Sequence, residues 1–587
     1  MPDKPGGRLF GRLLLVWAAL AVVATAVALE LVVSMNIRGD DALRLVQVRD
    51  LVAGQGWYDL TNYRIDPPGG VVTHWSRLVD VPIAAVLLAL TPLVGAHAAE
   101  EAALVAVPLL TLGVVVGFIG WTAARLFDVR VAGFAGLSLG ILVPVLFHLQ
   151  PTRLDHHGWQ LAAAAAAVAG LVARSGRAGA MLSGAAMAFG LTVSLEVLPL
   201  AAGLAGIFAL RWLADDQARG QIAAYLQTLA AGLAVLFLIA LGPANIRQYC
   251  DAIGSAHIAF LAAVAVAVTI AARRPGLPRA AIAGVLAGAG ALGMAVFGTL
   301  APECLRTPFG ALDPVVHDYW YRLVPEGMPI WKHSARDAVP AVVQLAVALA
   351  ATGLLARRSS GERRTFWLHY LALLGYACAL GMAFNRSLAF AGVVAAVPLG
   401  WFIAESLRRL AATASVARRT VGTVLLVAVL MPSTIFMLAD GLRPTPAVVR
   451  AKQSAVGVFE TNCLDAGAVA RLRALPRGEI FMPFDLGPTV LMRTDHSVTA
   501  TGHHRAEAAM AAVIDGFRAP PDAARAIIAG RDADYVLACS EMIDTQVYAR
   551  SSPNGLAARL LGGDAPEWLE PVPGFERGPS RVWRVVK

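Results

Sequence analysis

Apolar runs alternate with short polar segments along most of this chain. The runs recur from Leu13 to about Leu438 and are roughly 20 residues long, the length an α-helix needs to cross a hydrocarbon layer of roughly 30 Å. They stop after Arg443, and the stretch that follows is long enough for one globular domain. The pattern predicts a membrane domain over residues 1–439 and a separate, water-exposed domain over residues 440–587.

Basic residues between the apolar runs set the orientation, because cytosolic loops carry an excess of Lys and Arg. Counting from these clusters gives about 13 crossings. They are 13–36, 101–123, 131–149, 159–173, 178–194, 196–210, 221–243, 255–272, 280–299, 338–356, 366–383, 387–405 and 420–438. The apolar stretch from Pro82 to Ala96 would add a crossing and place Arg125 and Arg130 outside, so we interpret it as a re-entrant or interfacial helix.

This orientation places three large or polar loops on the extracytoplasmic side. They are the first loop (37–100), the second loop (150–158) and the third loop (300–337). The C-terminal domain then also lies outside the cytosol. We expect a multi-pass protein of the cell inner membrane with a periplasmic C-terminal domain.

Composition and charge agree with a membrane protein. Only 15% of the residues are charged and 57% are hydrophobic. The net charge is +9, but the basic residues do not form one patch interleaved with aromatic residues, so no nucleic acid partner is expected. Two pairs of cysteines fall in predicted outer segments, where disulfides are permitted, although unpaired buried thiols stay equally open. These cysteines are Cys250, Cys304, Cys463 and Cys539.

Carboxylates and histidines stand at the head of the outer loops. Asp40 and Asp41 open the first loop, and Asp155, His156 and His157 lie in the second. Ionisable groups near the hydrocarbon boundary are costly to desolvate, which makes them candidates for function. A carboxylate and an imidazole from one turn can share a divalent cation. The plainer alternatives are a solvated helix cap and hydrogen-bonded loop histidines.

Three further ionisable residues extend this set. Glu326 lies between Pro325 and a Gly-Met-Pro sequence, on turning backbone that could carry it into a site, although a solvated acid is the simpler interpretation. Arg386 lies in an outer turn at membrane level, where its fork suits a lipid phosphate, or where it snorkels to headgroups. Glu196 lies in an apolar segment and is a candidate for contact with a sugar or a metal.

The order and spacing of these pieces resemble the catalytic subunit of oligosaccharyltransferases, within the GT-C superfamily of polyprenyl-phosphate-dependent glycosyltransferases. The likeness covers most of the membrane region and includes the Gly56–Asp59 stretch Gly-Trp-Tyr-Asp. It implies a polytopic α-helical membrane protein with about 13 crossings and a C-terminal α/β domain outside the cytosol. It also implies a glycosyltransferase that takes its sugar or oligosaccharide from a polyprenyl-linked donor in the lipid and transfers it with inversion at the anomeric carbon.

The same resemblance implies roles for the loop residues. Asp41, Asp155 and Glu326 correspond to the catalytic acids, which with His157 would hold a divalent metal, most simply Mg or Mn. Arg386 corresponds to the arginine that binds the donor phosphate. Possible contacts to acceptor or substrate are Asp40, His156, Glu196, Asp485, His503 and His504.

One departure concerns the acceptor. The family carries W-W-D-Y-G to recognise Asn-x-Ser/Thr, whereas this chain has Pro483, Phe484, Asp485, Leu486 and Gly487 at the matching places. Neither Pro nor Phe supplies the indole donor, so the acceptor is expected to be a polysaccharide, a lipid or another protein motif.

Two alternatives stay open. A GT-C enzyme that transfers a single sugar from a polyprenyl monophosphate to a lipid or a polysaccharide would use nearly the same residues. A transporter would predict inverted repeats and ligands at mid-membrane, and the polar residues cluster in outer loops instead.

Overall fold

The computed structural model describes residues 5–37, 39–243, 249–306, 309, 312–436 and 462–586. The expected domain boundary at 439/440 and the end of the expected crossing 420–438 lie outside the described residues.

The chain before the C-terminal domain is helical, apart from a short antiparallel hairpin of β1 (Thr61–Asn62) and β2 (Val71–Val72) in the first loop. Its described α-helices are α1 (Pro5–Val33), α2 (Gly39–Val52), α3 (Arg77–Val94), α4 (Ala96–Leu126), α5 (Val129–Ser138), α6 (Val143–Leu146), α7 (His157–Gly170), α8 (Gly176–Val193), α9 (Leu198–Ala214), α10 (Arg219–Ala240), α11 (Ser255–Ala272), α12 (Arg279–Leu300), α13 (Pro314–Tyr319), α14 (Ala335–Arg358), α15 (Gly361–Ala383), α16 (Leu388–Ala411) and α17 (Val416–Leu430).

Ten helices in the described part of the chain are long and apolar enough to cross a membrane. They are α1, α3, α4, α9, α10, α11, α12, α14, α15 and α16. The protein is therefore a multi-pass membrane protein. One expected crossing, 131–149, is not a continuous helix, because α5 ends at Ser138 and α6 begins only at Val143. Gly140 lies in this break and Pro144 lies in the first turn of α6, and both residue types favour a new helix start over a continued one.

Helix α3 has the length and composition of a crossing, but both of its ends lie beside α2. At its start, Asp80 pairs with Arg44 of α2 at 2.8 Å. Just beyond its end, Glu100 in the second turn of α4 pairs with Arg49 of α2 at 2.6 Å. These contacts tie the start of α3 and the start of α4 to α2. The re-entrant or interfacial position of α3 stays a prediction.

Small residues let the central helices approach closely. Gly170 at the end of α7 and Gly179 in α8 lie against each other, and a Cβ on either residue would overlap the backbone of the other. Gly400 of α16 lies in the same way against the backbone of Ala135 in α5. In a bilayer no hydrophobic effect drives helices together, so close backbone contact of this kind provides the van der Waals attraction that holds them. It fixes α7 and α16 in the centre of the bundle.

The C-terminal domain is α/β, as expected. Its described helices are α18 (Ala466–Arg473), α19 (Gly487–Arg493), α20 (Glu507–Arg518), α21 (Pro521–Gly530), α22 (Ile543–Ser551) and α23 (Leu556–Leu561). Its strands are β3 (Glu479–Phe481), β4 (Ser497–Val498), β5 (Tyr535–Cys539), β6 (Leu569–Pro571) and β7 (Ser580–Val585). The sheet order is β4-β3-β5-β7-β6, with β3 parallel to β4 and β5, and β7 antiparallel to β5 and β6.

The first loop packs into the C-terminal domain as part of one hydrophobic core. Ile65 forms a parallel bridge with Val498 at the β4 edge of the sheet. The Val498 N–H donates to the Arg64 carbonyl at 2.8 Å, and the Asp66 N–H donates to the Val498 carbonyl at 3.0 Å. Trp75 of the first loop is buried in the same core. The domain is thus held by the first loop through main-chain pairing and apolar contact.

Both cysteine pairs left open by the sequence form disulfides. Cys250 is bonded to Cys304, which joins the loop before α11 to the start of the third loop. Cys463 is bonded to Cys539, which ties the segment before α18 to the end of β5.

Substitution of Gly400 by Ala tests the close contact of α5 and α16. We expect lower thermal stability in detergent, because overpacking a filled core costs roughly 1–3 kcal/mol. The matched control is Gly375→Ala in α15, where a Cβ meets no atom within 4 Å. That change should leave stability unchanged or raise it, since Ala favours helix over Gly. Equal melting temperatures for the two variants would contradict the packing described here.

Candidate functional site

Four helices begin at one place, and the ionisable residues expected from the sequence stand at these beginnings. Asp40 and Asp41 lie in the first turn of α2, and His157 opens α7. Glu196 and Arg386 lie in single 3₁₀ turns that lead directly into α9 and α16. Because the first turn of a helix presents unpaired N–H groups and a partial positive charge, this arrangement suits anions.

The second loop forms a tight carboxylate–imidazole pair. The Asp155 carboxylate accepts the backbone N–H of His157 at 2.9 Å, and its other oxygen lies 2.9 Å from His157 Nδ1. Burial disfavours charge on both groups, but the pair more than compensates. It holds the pKa of Asp155 well below its usual range and raises the pKa of His157 to about 10.

Asp41 joins the first loop to the second. Its buried carboxylate accepts the backbone N–H groups of Leu154 at 2.7 Å and Asp155 at 3.0 Å, and pairs with Arg153 at 3.0 Å. Burial and then the Asp155 charge raise its pKa to about 6. With three donors already on its two oxygens, Asp41 positions the second loop and has little capacity left for a metal.

Asp40, and not Asp41, faces the remaining acids. Its side chain keeps contact with solvent, yet it lies in a cleft with Asp155, Glu326 and His157 as electrostatic neighbours. Loss of hydration, followed by repulsion from Asp155 and Glu326, raises its pKa to about 7. The first turn of α2 points Asp41 at the second loop and leaves Asp40 toward the third, and the expected role of Asp41 as a metal ligand stays a prediction.

The third loop carries Glu326 toward Arg386. Glu326 lies in a 3₁₀ turn from Pro325 to Gly327 and is exposed. The backbone N–H of Asn385 donates to the carbonyl of Met328 at 3.0 Å, which fixes this turn against the turn that contains Arg386. The expected mobile loop therefore has a defined place beside the other candidate residues.

Glu196 links the cation to the histidines. It forms a salt bridge with the Arg386 guanidinium and accepts a hydrogen bond from Gln160 at 3.2 Å. Its carboxylate also lies 3.8 Å from His156 Nε2 and 3.6 Å from His157 Nε2. The sequence marked Glu196 as a candidate, and the structure gives it the central contact to Arg386.

His148 is a further residue of the site that the sequence pattern does not predict. Its ring stacks on His157 with centroids 4.4 Å apart, and a ligand atom from each of His148, Asp155 and His157 lies within reach of one ion. His148 falls inside the expected crossing 131–149, so hydropathy alone hid it. The interruption of that crossing by Gly140 and Pro144 is the signal that would have placed His148 near a loop.

The candidates in the C-terminal domain lie apart from this cluster. Asp485 is at the surface, and its backbone N–H donates to the Asp544 carboxylate. His503 and His504 contact His74 and Asp251 instead.

The cluster at the helix starts fits a divalent cation. Asp155 presents a ligand atom within 4.8 Å of those of His148 and His157, and Asp40, Glu196 and Glu326 are all electrostatic neighbours of Arg386. Burial, followed by repulsion from Asp155 and Glu326, raises the pKa of Asp40, and a bound cation would oppose this shift. The buried His148 Nδ1 has no hydrogen-bond partner in the described part of the chain, so this nitrogen is available as a ligand. His157 Nε2 also has no partner there, but Asp155 favours the protonated ring, so a metal would have to displace a proton from it.

Comparison with known proteins gives similarity in structure only. No protein-family model matches the chain, and no curated protein matches it. Its structure is similar to the oligosaccharyltransferase AglB of the archaeon Archaeoglobus fulgidus in complex with an inhibitory peptide and a dolichol-phosphate. The TM-score is 0.64 and the identity 13%, over 92% of this chain and 72% of that one.

The same enzyme tethered to an acceptor peptide with the NVT sequon gives a TM-score of 0.66 at 13% identity, over 93% of this chain and 72% of that one. A further structure of that enzyme, with Zn and sulfate, gives a TM-score of 0.59 at 14% identity, over 92% and 70%. The chain thus shares the fold of this archaeal oligosaccharyltransferase, which confirms at the level of fold the resemblance inferred from the loops.

Substitution of Asp40 by Asn tests the charge repulsion. The raised pKa means that ionisation of Asp40 destabilises the fold as pH rises toward and past about 7. In chelator-treated protein, Asp40→Asn should therefore raise the melting temperature at about pH 8, and by less at about pH 5, where Asp40 is already protonated. The control is Asp522→Asn, a surface carboxylate in α21. A stabilisation independent of pH would refute the repulsion.

Proposed function

We propose that this protein is a metal-dependent glycosyltransferase that moves a sugar or oligosaccharide from a polyprenyl-(pyro)phosphate to an acceptor at the outer face of the membrane. The observation that carries the proposal is the meeting of Asp40, Asp155, His157 and Glu326, from three separate loops, beside Arg386. The fold likeness to an oligosaccharyltransferase that was solved with a dolichol-phosphate adds support.

The donor phosphate would lie between Arg386 and the helix starts. A guanidinium donates paired hydrogen bonds to phosphate oxygens, and helix N-termini favour anions. Three such N-termini, those of α7, α9 and α16, are within reach of the Glu196–Arg386 pair. In the free protein Arg386 forms a salt bridge with Glu196. A bound phosphate would replace Glu196 as the partner of Arg386, and Glu196 would then pair with His156 and His157.

The divalent cation would be held by Asp40, Asp155, His157 and Glu326, with His148 as a further nitrogen ligand. When bound, it would neutralise the negative charge that develops on the leaving phosphate. Magnesium prefers oxygen ligands, whereas imidazole nitrogens suit manganese or zinc. Of the two metals expected from the sequence, the donor set supports Mn. Asp41 would serve as a positioning residue that keeps Asp155 in place through its backbone N–H.

Activation of the acceptor would fall to a carboxylate of this set that faces the cleft. A carboxylate within hydrogen-bond reach of an acceptor hydroxyl or amide can orient it or take up its proton. Asp40 is one candidate, because its side chain keeps contact with solvent in the cleft.

The acceptor is proposed to be a polysaccharide, a lipid or a protein motif other than the sequon. Phe484 is almost fully buried in the core of the C-terminal domain, so its ring does not line a groove. Pro483 has no backbone N–H to donate. Of these three residues, Asp485 is the one whose side chain can accept a hydrogen bond at the surface, beside Asp544.

One observation favours a single-phosphate donor as the second candidate. Arg386 is already paired with Glu196, and Arg153 with Asp41, which leaves little positive charge for a second phosphate. Transfer of a single sugar from a polyprenyl monophosphate would then be the reaction. Both candidates are compared in one assay, in which purified protein receives radiolabelled polyprenyl-linked sugars and the mass of the labelled product gives the size of the transferred glycan.

Turnover should require the divalent cation. Exhaustive chelation is expected to stop transfer and Mn to restore it, because the clustered carboxylates need a positive charge to act on a phosphate. Asp155→Asn should lower kcat/KM by at least about 100-fold, in the range found when a metal ligand or its close support is lost. Asp522→Asn is the matched surface control. Full activity of the chelated protein, or of Asp155→Asn, would remove the metal from the proposal.

A sequon peptide should be a poor acceptor. Recognition of a hydroxyl-bearing residue needs a fitted pocket with hydrogen-bond partners, which Pro483 and Phe484 do not provide. We expect similar, low transfer to an Asn-x-Thr peptide and to its Asn-x-Ala analogue. Efficient transfer to the first that is lost with the second would show a sequon pocket elsewhere in the domain.

A further inference from the structure

A second group of histidines and a carboxylate lies at the junction of the C-terminal domain with two loops of the membrane part. The His74 cluster consists of His74 in the first loop, Asp251 in the loop before α11, and His503 and His504 in the C-terminal domain. His74 Nδ1 lies 2.9 Å from His503 Nε2 and 3.8 Å from Asp251 Oδ2. His504 Nε2 lies 2.6 Å from the same Asp251 oxygen.

We propose that the His74 cluster binds a zinc ion, which fastens the C-terminal domain to the first loop and to the loop before α11. His74, Asp251 and His504 each present one ligand atom, and these atoms lie within 4.8 Å of one another. With Zn–N bonds of roughly 2.0–2.1 Å, tetrahedral ligands are about 3.3 Å apart. The measured separations of 2.6–3.8 Å bracket that value, so a small movement of the side chains would seat the ion.

His503 Nε2 lies 2.9 Å from His74 Nδ1 and would supply the fourth ligand after its ring moves toward Asp251 and His504. Three histidines and one carboxylate are a donor set that zinc accepts. All four side chains are at most 18% exposed, with His503 at 4%, so water competes weakly for the ion. The sequence predicts that His503 and His504 contact the acceptor substrate. In the structure, His503 contacts His74 and His504 contacts Asp251.

The electrostatics of the cluster suit metal ligation. Burial lowers the pKa of His74 and His503 well below the usual range, so both rings are neutral and keep a lone pair for a metal. Asp251 stays ionised, because His504 and Arg505 hold its pKa below the ordinary value despite burial. Without an ion, His74 Nδ1 and His503 Nε2 face each other, and one of these two nitrogens must carry a proton and donate a hydrogen bond to the other.

Arg505 supports the carboxylate from behind. Its Nε and a terminal nitrogen donate to the two oxygens of Asp251, both at 2.9 Å, and its other terminal nitrogen donates to the Thr73 carbonyl at 3.2 Å. Ligating carboxylates are commonly oriented by such a hydrogen bond. Arg505 is thus a positioning residue: it aims Asp251 Oδ2 at the histidines and anchors the extended segment that carries His74.

The site would also stiffen the wall of the candidate functional site. Trp75 follows His74, and its ring lies 5.7 Å from that of His503 and 6.5 Å from that of His156. The Cys250–Cys304 disulfide holds Asp251 from its other side. A metal on His74 would therefore fix the position of Trp75 between the two sites without touching the reacting groups.

Zinc content of the purified full-length protein tests the proposal. After mild chelation and washing, wild-type protein and the Asp155→Asn, His157→Ala double variant should each retain about one zinc per chain by elemental mass spectrometry. His74→Ala and His504→Ala should lose it. His97→Ala is the matched control, since His97 is exposed on α4 and should keep the zinc. Zinc lost only in the double variant would assign the ion to the functional site and overturn the proposal.

A second measurement applies if His74→Ala or His504→Ala does not fold. The double variant, stripped of metal and titrated with Co²⁺, should show the visible absorption of tetrahedral cobalt, which Zn²⁺ then removes. Asp251→Asn, which keeps the size of the side chain, should weaken Co²⁺ binding by at least about 10-fold. Absence of tetrahedral absorption in the double variant, or unchanged binding in Asp251→Asn, would show that the cluster is a hydrogen-bonded junction only.

Discussion

The hydrogen bonds from the backbone of Leu154 and Asp155 to the Asp41 carboxylate are the contact on which the candidate site depends. They join the start of α2 to the turn before α7. Leu154 and Asp155 follow Asp41 by 113 and 114 residues in the sequence. A buried carboxylate must find donors or lose its charge, so this pairing fixes both loops at once. With Asp41 committed to structure, Asp40 is turned toward Glu326, and Asp155 is presented to His157. Adjacent residues on a helix differ by about 100° in direction, which is why Asp40 and Asp41 have different surroundings.

The first loop has a second structural task, since it also closes the sheet of the C-terminal domain. Ile65 pairs beside Val498, and the Arg64 guanidinium donates to the Leu491 carbonyl at 2.5 Å and the Thr494 carbonyl at 2.9 Å near the end of α19. A sheet edge left open attracts other strands, and this one is covered within the molecule. The same loop thereby carries the acids, supports the domain and contributes His74, so the two halves of the protein form one working unit.

Much of the fold could be predicted, because apolar length and basic loops follow directly from the physics of the bilayer. The loops that contain Asp40, Asp155 and Glu326 were found because charge near hydrocarbon is expensive. The choice between Asp40 and Asp41 could not be made from the sequence, since adjacent side chains on a helix differ by about 100° in direction and only the partner loop decides which one enters the cleft. His148 was missed because its surroundings are apolar, and the contacts of His503 with His74 join positions that no local pattern connects.

Pairing between Arg64 and Val498 has a consequence for biosynthesis. A chain made from its N-terminus inserts α1 and exports the first loop long before the sheet that receives it has been synthesised. Until then Ile65 and Trp75, which are buried in the finished core, have no partner from the C-terminal half. The growing protein must therefore carry this exposed apolar surface through most of its translation.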